Sequence, residues 1–162
     1  MKNVNVNIFY SEYNSVEELD KTDRLLIESA GIASSGSYAP YSKFQVGAAV
    51  LLANGEIITG SNQENAAYPS GLCAERVAIF YANAKFPEVP VIALAIIAFS
   101  DGHIVNEPVS PCGSCRQVIL ESELRFKYPV KIIMCASEKV RIVKDVHMLL
   151  PLSFGMDSPG NW

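Results

Sequence analysis

The chain has 162 residues, of which 49% are apolar and 19% carry a charge. This length and composition are typical of one globular domain with a sizeable core, and they argue against a disordered chain. The formal net charge of −4 disfavours bulk binding to nucleic acid, because no basic stripe is available to neutralise phosphates. A small-molecule substrate suits this charge better than a polyanion.

Neither the N-terminus nor the apolar runs predict export or membrane insertion. Residues 1–10 do not have the basic-then-apolar layout of a signal peptide. The longest apolar run, residues 89–99, is shorter than the roughly 20 residues that a membrane span needs. We therefore expect a cytoplasmic protein. In that compartment, four cysteines indicate metal binding or catalysis before they indicate disulfides.

The N-terminal segment predicts an arm followed by a helix. Apolar residues alternate with asparagine over residues 4–8, so residues 1–15 are expected to form an arm or an extra strand. Apolar residues then recur at helical spacing, which predicts a first helix from about residue 16 or 20 to residue 34.

The rest of the chain alternates between strand and helix patterns. Asn54-Gly55 lies between two β-rich runs and predicts a type I′ hairpin turn. Five strands are predicted, at residues 45–52, 56–61, 91–99, 130–136 and 140–143. Helices are predicted at residues 73–83 and 112–124, with a short one at residues 145–150. This order predicts an α/β fold, with helices on both faces of a mixed sheet of about five strands.

No linker or repeat divides the sequence, so residues 1–162 are expected to form a single domain. Residues 156–162 are rich in Gly, Pro and Ser and are expected to form a flexible tail. Three aromatic residues share a loop at residues 38–44. Their rings either cap an edge of the core or form a wall for a bound ligand, and the sequence alone favours the first interpretation.

Three cysteines and one glutamate have the pattern of a catalytic zinc site. Cys112 and Cys115 are three residues apart at the predicted start of a helix, so both sulfurs can point the same way. Cys73 begins another predicted helix, and the partial positive charge at a helix N-terminus favours thiolates. Glu75 is near enough to reach metal-bound water without being a ligand itself. The pattern predicts one zinc ion, three cysteine ligands, one open position and a proton-carrying carboxylate.

Three thiolates would leave a zinc centre formally negative, so a positive group is expected beside it. Arg76 and Arg116 each adjoin a ligand motif, and either side chain could donate hydrogen bonds to sulfur. We expect Arg76 to have this role.

Two other interpretations of the cysteines remain open. The Cys-x-x-Cys pair alone could be a thioredoxin-like redox motif, although Cys73 and Glu75 would then have no role. Cys135, His103 or His147 could instead complete a closed, structural site with four ligands. The apolar strand around Cys135 favours an inert core thiol, and the two histidines are expected at the surface.

The same motifs resemble those of the zinc-dependent cytidine deaminases, in the form whose first ligand is Cys. The resemblance rests on Cys73-Ala74-Glu75 and on Pro111-Cys112-Gly113-Ser114-Cys115 about forty residues later. Residues 41–49, 62–66 and 149–155 are similar to the family's early strand, ribose-binding segment and C-terminal end. The resemblance extends over about residues 25–155.

This resemblance implies a three-layer αβα sandwich. It also implies zinc-dependent hydrolysis of cytidine and deoxycytidine to uridine and deoxyuridine, with release of ammonia, as in pyrimidine salvage. At the matching positions, it implies one zinc ion per subunit, bound by Cys73, Cys112 and Cys115. Glu75 would be the proton shuttle.

The resemblance also implies which residues bind the nucleoside. Phe44 would pack on the base, and Asn62 and Glu64 would hydrogen-bond the ribose hydroxyls. The backbone N–H of Ala74 would bind the pyrimidine carbonyl. Small deaminases of this form are homotetramers with shared active sites, which implies that three residues lie at a neighbouring subunit's pocket: Ala66, Tyr68 and Phe154.

Three rival functions stay open at this point. A deaminase of the blasticidin type shares the Cys-first motif and differs in its aminopyrimidine substrate. A non-catalytic, zinc-stabilised domain would need a fourth protein ligand and no Glu75. A nucleic-acid-editing deaminase would need a basic groove for the strand, which the acidic composition disfavours.

Overall fold

The computed structural model describes residues 1–155, and they form a mixed β-sheet with helices on both faces. The three helices are α1 (Lys21–Ser34), α2 (Ala74–Lys85) and α3 (Gly113–Phe126). The seven strands are β1 (Ser11–Tyr13), β2 (Phe44–Leu52), β3 (Ile57–Ser61), β4 (Val91–Ser100), β5 (His103–Ile104), β6 (Lys131–Cys135) and β7 (Val140–Val143). Single 3₁₀ turns lie at Val16–Glu18, Tyr68–Ser70 and Val146–Met148.

Strand β4 is the centre of the sheet because almost all of its residues are apolar and buried. The strand order is β1–β7–β6–β4–β2–β3, and β5 pairs separately with β4. β4 is antiparallel to β2 and parallel to β6. A parallel pair needs a crossover connection, and α3 lies in the chain between these two strands.

The two faces of the sheet carry separate apolar clusters, which confirms the predicted three-layer αβα class. On one face α1 contributes Leu26, Ile27 and Ala30, which pack with sheet residues such as Ala95 and Ile133. On the other face α2 and α3 pack against alternate residues of the same strands. This second cluster includes Ala78, Ile79, Ile119, Leu120, Val50, Leu94 and Ile132.

The sheet has seven strands rather than about five. The five predicted strands are present, and their ends differ from the predicted ones by one residue or less. The two additional strands, β1 and β5, have three and two residues, which is too short for an alternating pattern to be recognised. The alternation at residues 4–8 does not form a strand; the pairing with β7 begins at Ser11.

The hairpin between β2 and β3 does not have the predicted type I′ turn. The Gly55 N–H donates to the Leu52 carbonyl, and the Leu52 N–H donates to the Glu56 carbonyl, so the loop has three residues. Gly55 has a φ of 88°, whereas Asn54 does not have a positive φ. A type I′ turn needs positive φ at both central residues. The loop therefore uses glycine at its last position alone.

The structure does not test two of the sequence predictions, the flexible tail and the single domain. The proposed flexible tail, residues 156–162, lies outside the described residues, and the single-domain assignment stays a prediction. Within residues 1–155, no helix combines the length and the apolar character needed to cross a bilayer.

Strand β3 touches the backbone of α2 directly at Gly60. A Cβ atom added there would lie 2.6 Å from the Ala74 carbonyl oxygen and 2.6 Å from the Ala78 nitrogen. Both distances are too short for a carbon atom, and both neighbours are backbone atoms that cannot rotate away. Because Ala74 begins α2, the absence of a side chain at position 60 sets the position of this helix end.

We expect Gly60→Ala to destabilise the protein by about 1–3 kcal/mol, since the added methyl group must displace the start of α2. Urea or thermal unfolding measures this change. The matched control is Gly31→Ala in α1, where an added Cβ meets nothing within 4 Å. Glycine inside a helix costs about 0.5–1 kcal/mol relative to alanine, so the control is expected to be stabilising. A neutral Gly60→Ala would contradict the close approach.

Candidate active site

Two helix N-termini bring three cysteine sulfurs together. Cys73 is the N-cap residue of α2, Cys112 is the N-cap residue of α3, and Cys115 lies in the first turn of α3. The Cys73 and Cys112 sulfurs are 3.7 Å apart, and the Cys112 and Cys115 sulfurs are 3.4 Å apart. All three sulfurs lie within 4.8 Å of one another. The spacing in the sequence therefore does produce one cluster.

The cluster has the dimensions of a zinc site. Zinc binds thiolates at about 2.3 Å in tetrahedral geometry, which separates two sulfurs by about 3.8 Å. The observed separations of 3.4 and 3.7 Å fit that arrangement. Among residues 1–155, no His, Asp or Glu joins this group of possible ligand atoms. The three cysteines thus fit one zinc ion, and no fourth protein ligand accompanies them in this part of the chain.

The remaining candidates for a fourth ligand lie elsewhere. Cys135 is 3% exposed in β6, and burial raises the pKa of its thiol to about 11. His103 lies in β5 and His147 in the last 3₁₀ turn, and both are exposed. These positions agree with an inert core thiol and two surface histidines.

One thiol of the cluster, that of Cys73, is poised to lose its proton. A hydrogen bond from the Cys115 thiol lowers the pKa of Cys73, and Arg76 acts in the same direction. The same hydrogen bond raises the pKa of Cys115, because this thiol keeps the shared proton. The cluster therefore holds one thiolate readily, and a divalent cation would favour the loss of the other protons.

Glu75 is a buried carboxyl group beside the cluster, in the first turn of α2. The residue is only 5% exposed, and this burial raises the pKa of the carboxyl group above its usual value. The negative charge of Cys73 acts in the same direction. A raised pKa brings the proton transfers of this carboxyl group closer to neutral pH, where a general acid–base catalyst is most efficient.

The two candidate arginines have different partners. Arg76 donates from Nη2 to the Gly71 carbonyl oxygen at 3.1 Å, while its buried Nε has no hydrogen-bond partner among residues 1–155. The guanidinium group of Arg116 donates to Pro111, Leu149 and Ser110, which are oxygen acceptors away from the sulfurs. Arg76 is therefore the arginine whose free donor and charge are available to the cluster.

A cleft of about 590 Å³ opens beside Cys73 and Arg76. Glu64 lies in its wall, and one carboxylate oxygen accepts the backbone N–H groups of Tyr41 at 2.9 Å and Ser42 at 3.3 Å. The Ser42 side chain and these N–H groups lower the pKa of Glu64. An ionised carboxylate with a remaining oxygen can accept a hydrogen bond from a ligand hydroxyl group.

Asn62 also lines the cleft, but its amide is largely committed to the backbone of β2. Its Oδ1 accepts the Val46 N–H at 2.8 Å, and its Nδ2 donates to the Phe44 carbonyl at 2.9 Å. Because an amide nitrogen carries two hydrogens, one donor remains. The Phe44 side chain is half-buried at the first position of β2 and is not part of the cleft wall.

The aromatic loop contributes to the cleft, contrary to the interpretation that the sequence favoured. Tyr41 is 54% exposed and lines the cleft together with Ser42. Tyr41 thus forms part of the wall of the cleft. Tyr38, in the same loop, is 55% exposed and does not cap the core either.

The three residues assigned to a neighbouring pocket are exposed. Tyr68 is 80% exposed at the mouth of the cleft, and Ala66 lies two residues before it. Phe154 is 64% exposed, and its carbonyl oxygen accepts a hydrogen bond from Gln117 Nε2 at 2.9 Å. Ala74, by contrast, is fully buried as the first residue of α2, where a backbone N–H has no acceptor inside the helix.

Comparison with known proteins agrees with this geometry. The profile of the family described as "Cytidine and deoxycytidylate deaminase zinc-binding region" matches residues 20–128. The chain belongs to this deaminase family. A cytidine deaminase of Mycobacterium tuberculosis is 41% identical over 128 residues, which are 77% of this chain and 84% of that protein. One from Halalkalibacterium halodurans is 46% identical over 98 residues, which are 60% of this chain and 70% of that protein.

Solved structures of deaminases in the family have the same fold. The crystal structure of cytidine deaminase from Burkholderia pseudomallei has a TM-score of 0.68 and 36% identity, covering 80% of this chain and 97% of that one. The structure from Mycobacterium tuberculosis has a TM-score of 0.66 and 33% identity, covering 84% and 99%. The matched family region begins at residue 20, after the N-terminal arm and β1.

Sequence reasoning missed two features of this deaminase site. The backbone N–H groups that hold Glu64 come from residues more than twenty positions earlier, so the sequence carried no local signal for them. Arg116 was considered as a sulfur donor, whereas it binds three oxygen acceptors on two segments of the chain. The sequence showed only that Arg116 directly follows Cys115, and this position did not identify its hydrogen-bond acceptors.

We expect Arg76→Gln to weaken zinc retention by roughly 10–100-fold, because the thiolate cluster loses its adjacent positive charge and donor. The rate of zinc transfer to a colorimetric chelator measures the effect. Arg125→Gln is the matched control, since Arg125 lies at the far end of α3 and donates to the Pro87 carbonyl. If both variants retain zinc and activity equally, Arg76 does not have this role.

Proposed function

We propose that this chain catalyses zinc-dependent hydrolytic deamination of cytidine and deoxycytidine to uridine and deoxyuridine, with release of ammonia. The proposed place of the reaction is pyrimidine salvage. The observation that carries the proposal is a cluster of three sulfurs, with no fourth protein ligand among residues 1–155, beside a buried carboxyl group. Membership of the deaminase family supports the same reaction.

The proposed role of Glu75 is to carry the proton. Zinc bound to the three cysteines would supply Lewis acidity that lowers the pKa of a water molecule. Glu75 would accept a proton from the attacking water and deliver it to ring nitrogen 3 as the water oxygen bonds to carbon 4. It would then take the second proton from that oxygen and give it to the amino group, so that the C–N bond breaks, ammonia leaves and the carbonyl group of uridine forms. Its burial and raised pKa support both transfers.

The proposed nucleoside contacts use the cleft. Glu64 would accept a hydrogen bond from a ribose hydroxyl, and Asn62 would donate its remaining N–H to another. Ala74 would bind the pyrimidine carbonyl with its backbone N–H. Phe44 would pack on the base, which requires its half-buried ring to reach the cleft.

We further propose a homotetramer with shared active sites in the cytoplasm. Large apolar residues at the cleft mouth and the C-terminal segment are exposed in the single chain: Tyr68, Leu152 and Phe154. Such exposure is typical of surfaces that another subunit covers. Four free cysteines, three of them zinc ligands, suit a compartment that keeps thiols reduced.

The rival functions fit these features less well. A closed structural zinc site needs a fourth ligand, and among residues 1–155 the cluster has three. A nucleic-acid-editing enzyme needs a basic groove, whereas the chain has a net charge of −4. A blasticidin-type deaminase has the same chemistry, so only the choice of substrate separates it from the proposed function.

Purified protein is expected to deaminate cytidine and deoxycytidine, and far less blasticidin S, in a side-by-side ultraviolet assay. Removal of zinc by a chelator should abolish turnover, and added zinc should restore it.

Glu75→Gln should retain zinc yet lose about 10²–10⁴-fold in rate, because the proton carrier is gone. Preference for blasticidin S would overturn the substrate, and a near-normal rate for Glu75→Gln would overturn the mechanism.

Subunit complementation tests the shared sites. Phe154→Ala is expected to raise the KM for cytidine, because a neighbouring pocket loses the Phe154 ring. If Glu75→Gln and Phe154→Ala subunits are mixed and reassembled, some pockets receive an intact Glu75 from one subunit and an intact Phe154 from the other. We expect activity above the sum of the two parent samples. No recovery, despite hetero-oligomers detected by native mass spectrometry, would place Phe154 at its own subunit's site.

A further inference from the structure

Arg116 connects two parts of the chain that are far apart in sequence. Its Nε donates to the Pro111 carbonyl at 2.8 Å, and its Nη2 donates to the Ser110 hydroxyl at 3.0 Å. Its Nη1 donates to the Leu149 carbonyl at 2.7 Å. One guanidinium group therefore binds the loop immediately before the zinc ligand Cys112 and the start of the C-terminal segment.

The C-terminal segment, residues 149–155, is held on α3 by further contacts. Gln117, next to Arg116, donates from Nε2 to the Phe154 carbonyl at 2.9 Å. Gly155 lies so close to Leu124 that an added Cβ would be 2.5 Å from the Leu124 side chain. The segment is thus seated along the helix whose first turn carries Cys115.

We propose that Arg116 is a positioning residue with two effects: it fixes the Cys112 ligand loop, and it fixes the C-terminal segment that presents Phe154. The second effect rests on the proposed role of Phe154 in a neighbouring pocket. The first effect does not, because it concerns the zinc site of the same chain.

The chemistry of the side chain explains why arginine is needed here. The guanidinium group offers five N–H donors in a rigid plane, so it can serve three acceptors that lie in different directions. Lysine carries the same charge on a single nitrogen and cannot reproduce that fork. The two carbonyl acceptors lie outside the helices and strands, and Arg116 donates a hydrogen bond to each of them.

The test separates the two effects with three variants in the zinc-loaded protein. Arg116→Gln removes both connections. Ser110→Ala removes a contact to the ligand loop, and Gln117→Leu removes the contact to Phe154. Arg125→Gln, on the last turn of the same helix, is the control for loss of an α3 arginine.

We expect Arg116→Gln to release zinc to a chelator roughly 10-fold faster and to raise the KM for cytidine by a similar factor. Arg116→Lys should restore little of either. Ser110→Ala should affect zinc release with little change in KM. Gln117→Leu should raise KM with unchanged zinc release, and Arg125→Gln should change neither.

A double-mutant cycle with Phe154→Ala identifies the route to KM. If Arg116 acts through the C-terminal segment, Arg116→Gln should raise KM in the parent protein but not in the Phe154→Ala background, while its effect on zinc release persists. An undiminished KM effect in that background overturns the second role. Zinc release equal to that of Arg125→Gln overturns the first. If Arg116→Gln does not fold, Arg116→Lys, which keeps the charge but not the three-way hydrogen bonding, takes its place in both comparisons.

Discussion

The approach of two helix ends to one point is the constraint on which the site depends. Helices α2 and α3 lie on the same face of the sheet, and each presents a cysteine at its N-cap position. Both ends carry unpaired N–H groups and a partial positive charge, which lowers the cost of placing thiolates together. The apolar layer beneath the helices fixes their separation, so the distances between sulfurs are a result of core packing.

Burial and charge shift the pKa values of different groups around the cysteine cluster. Glu75, at the start of α2, is only 5% exposed, and this burial raises the pKa of its carboxyl group. Arg76 contributes the opposite influence, since its charge favours the thiolate form of Cys73. Glu64, held by two backbone N–H groups, stays ionised at the cleft. The pKa of Glu75 is therefore raised, whereas the pKa values of Cys73 and Glu64 are lowered, and each direction has a named physical cause.

The long elements and the clustering of the three cysteines could be predicted from the sequence because their signals are local. Apolar periodicity marked α1, α2, α3 and the five longer strands, and the spacing of Cys112 and Cys115 within one helical turn placed two of the sulfurs together. The short strands β1 and β5 and the three-residue loop at Gly55 were not predictable in this way. They depend on pairing with distant strands. The same applies to Asn62, whose amide completes the hydrogen bonding of β2 sixteen or more residues away.

Strand β1 has a consequence for how the folded chain behaves in concentrated solution. It covers the outer side of β7 through three residue pairs, and Glu12 on it forms an ion pair with Arg141 at 2.6 Å. Without it, β7 would be the open edge of the sheet, with backbone donors and acceptors free to recruit a strand from another molecule. Strand β1 is very short and carries a charged side chain, and both features disfavour pairing with a strand from another molecule. By pairing with β7, strand β1 therefore disfavours aggregation through this edge of the sheet.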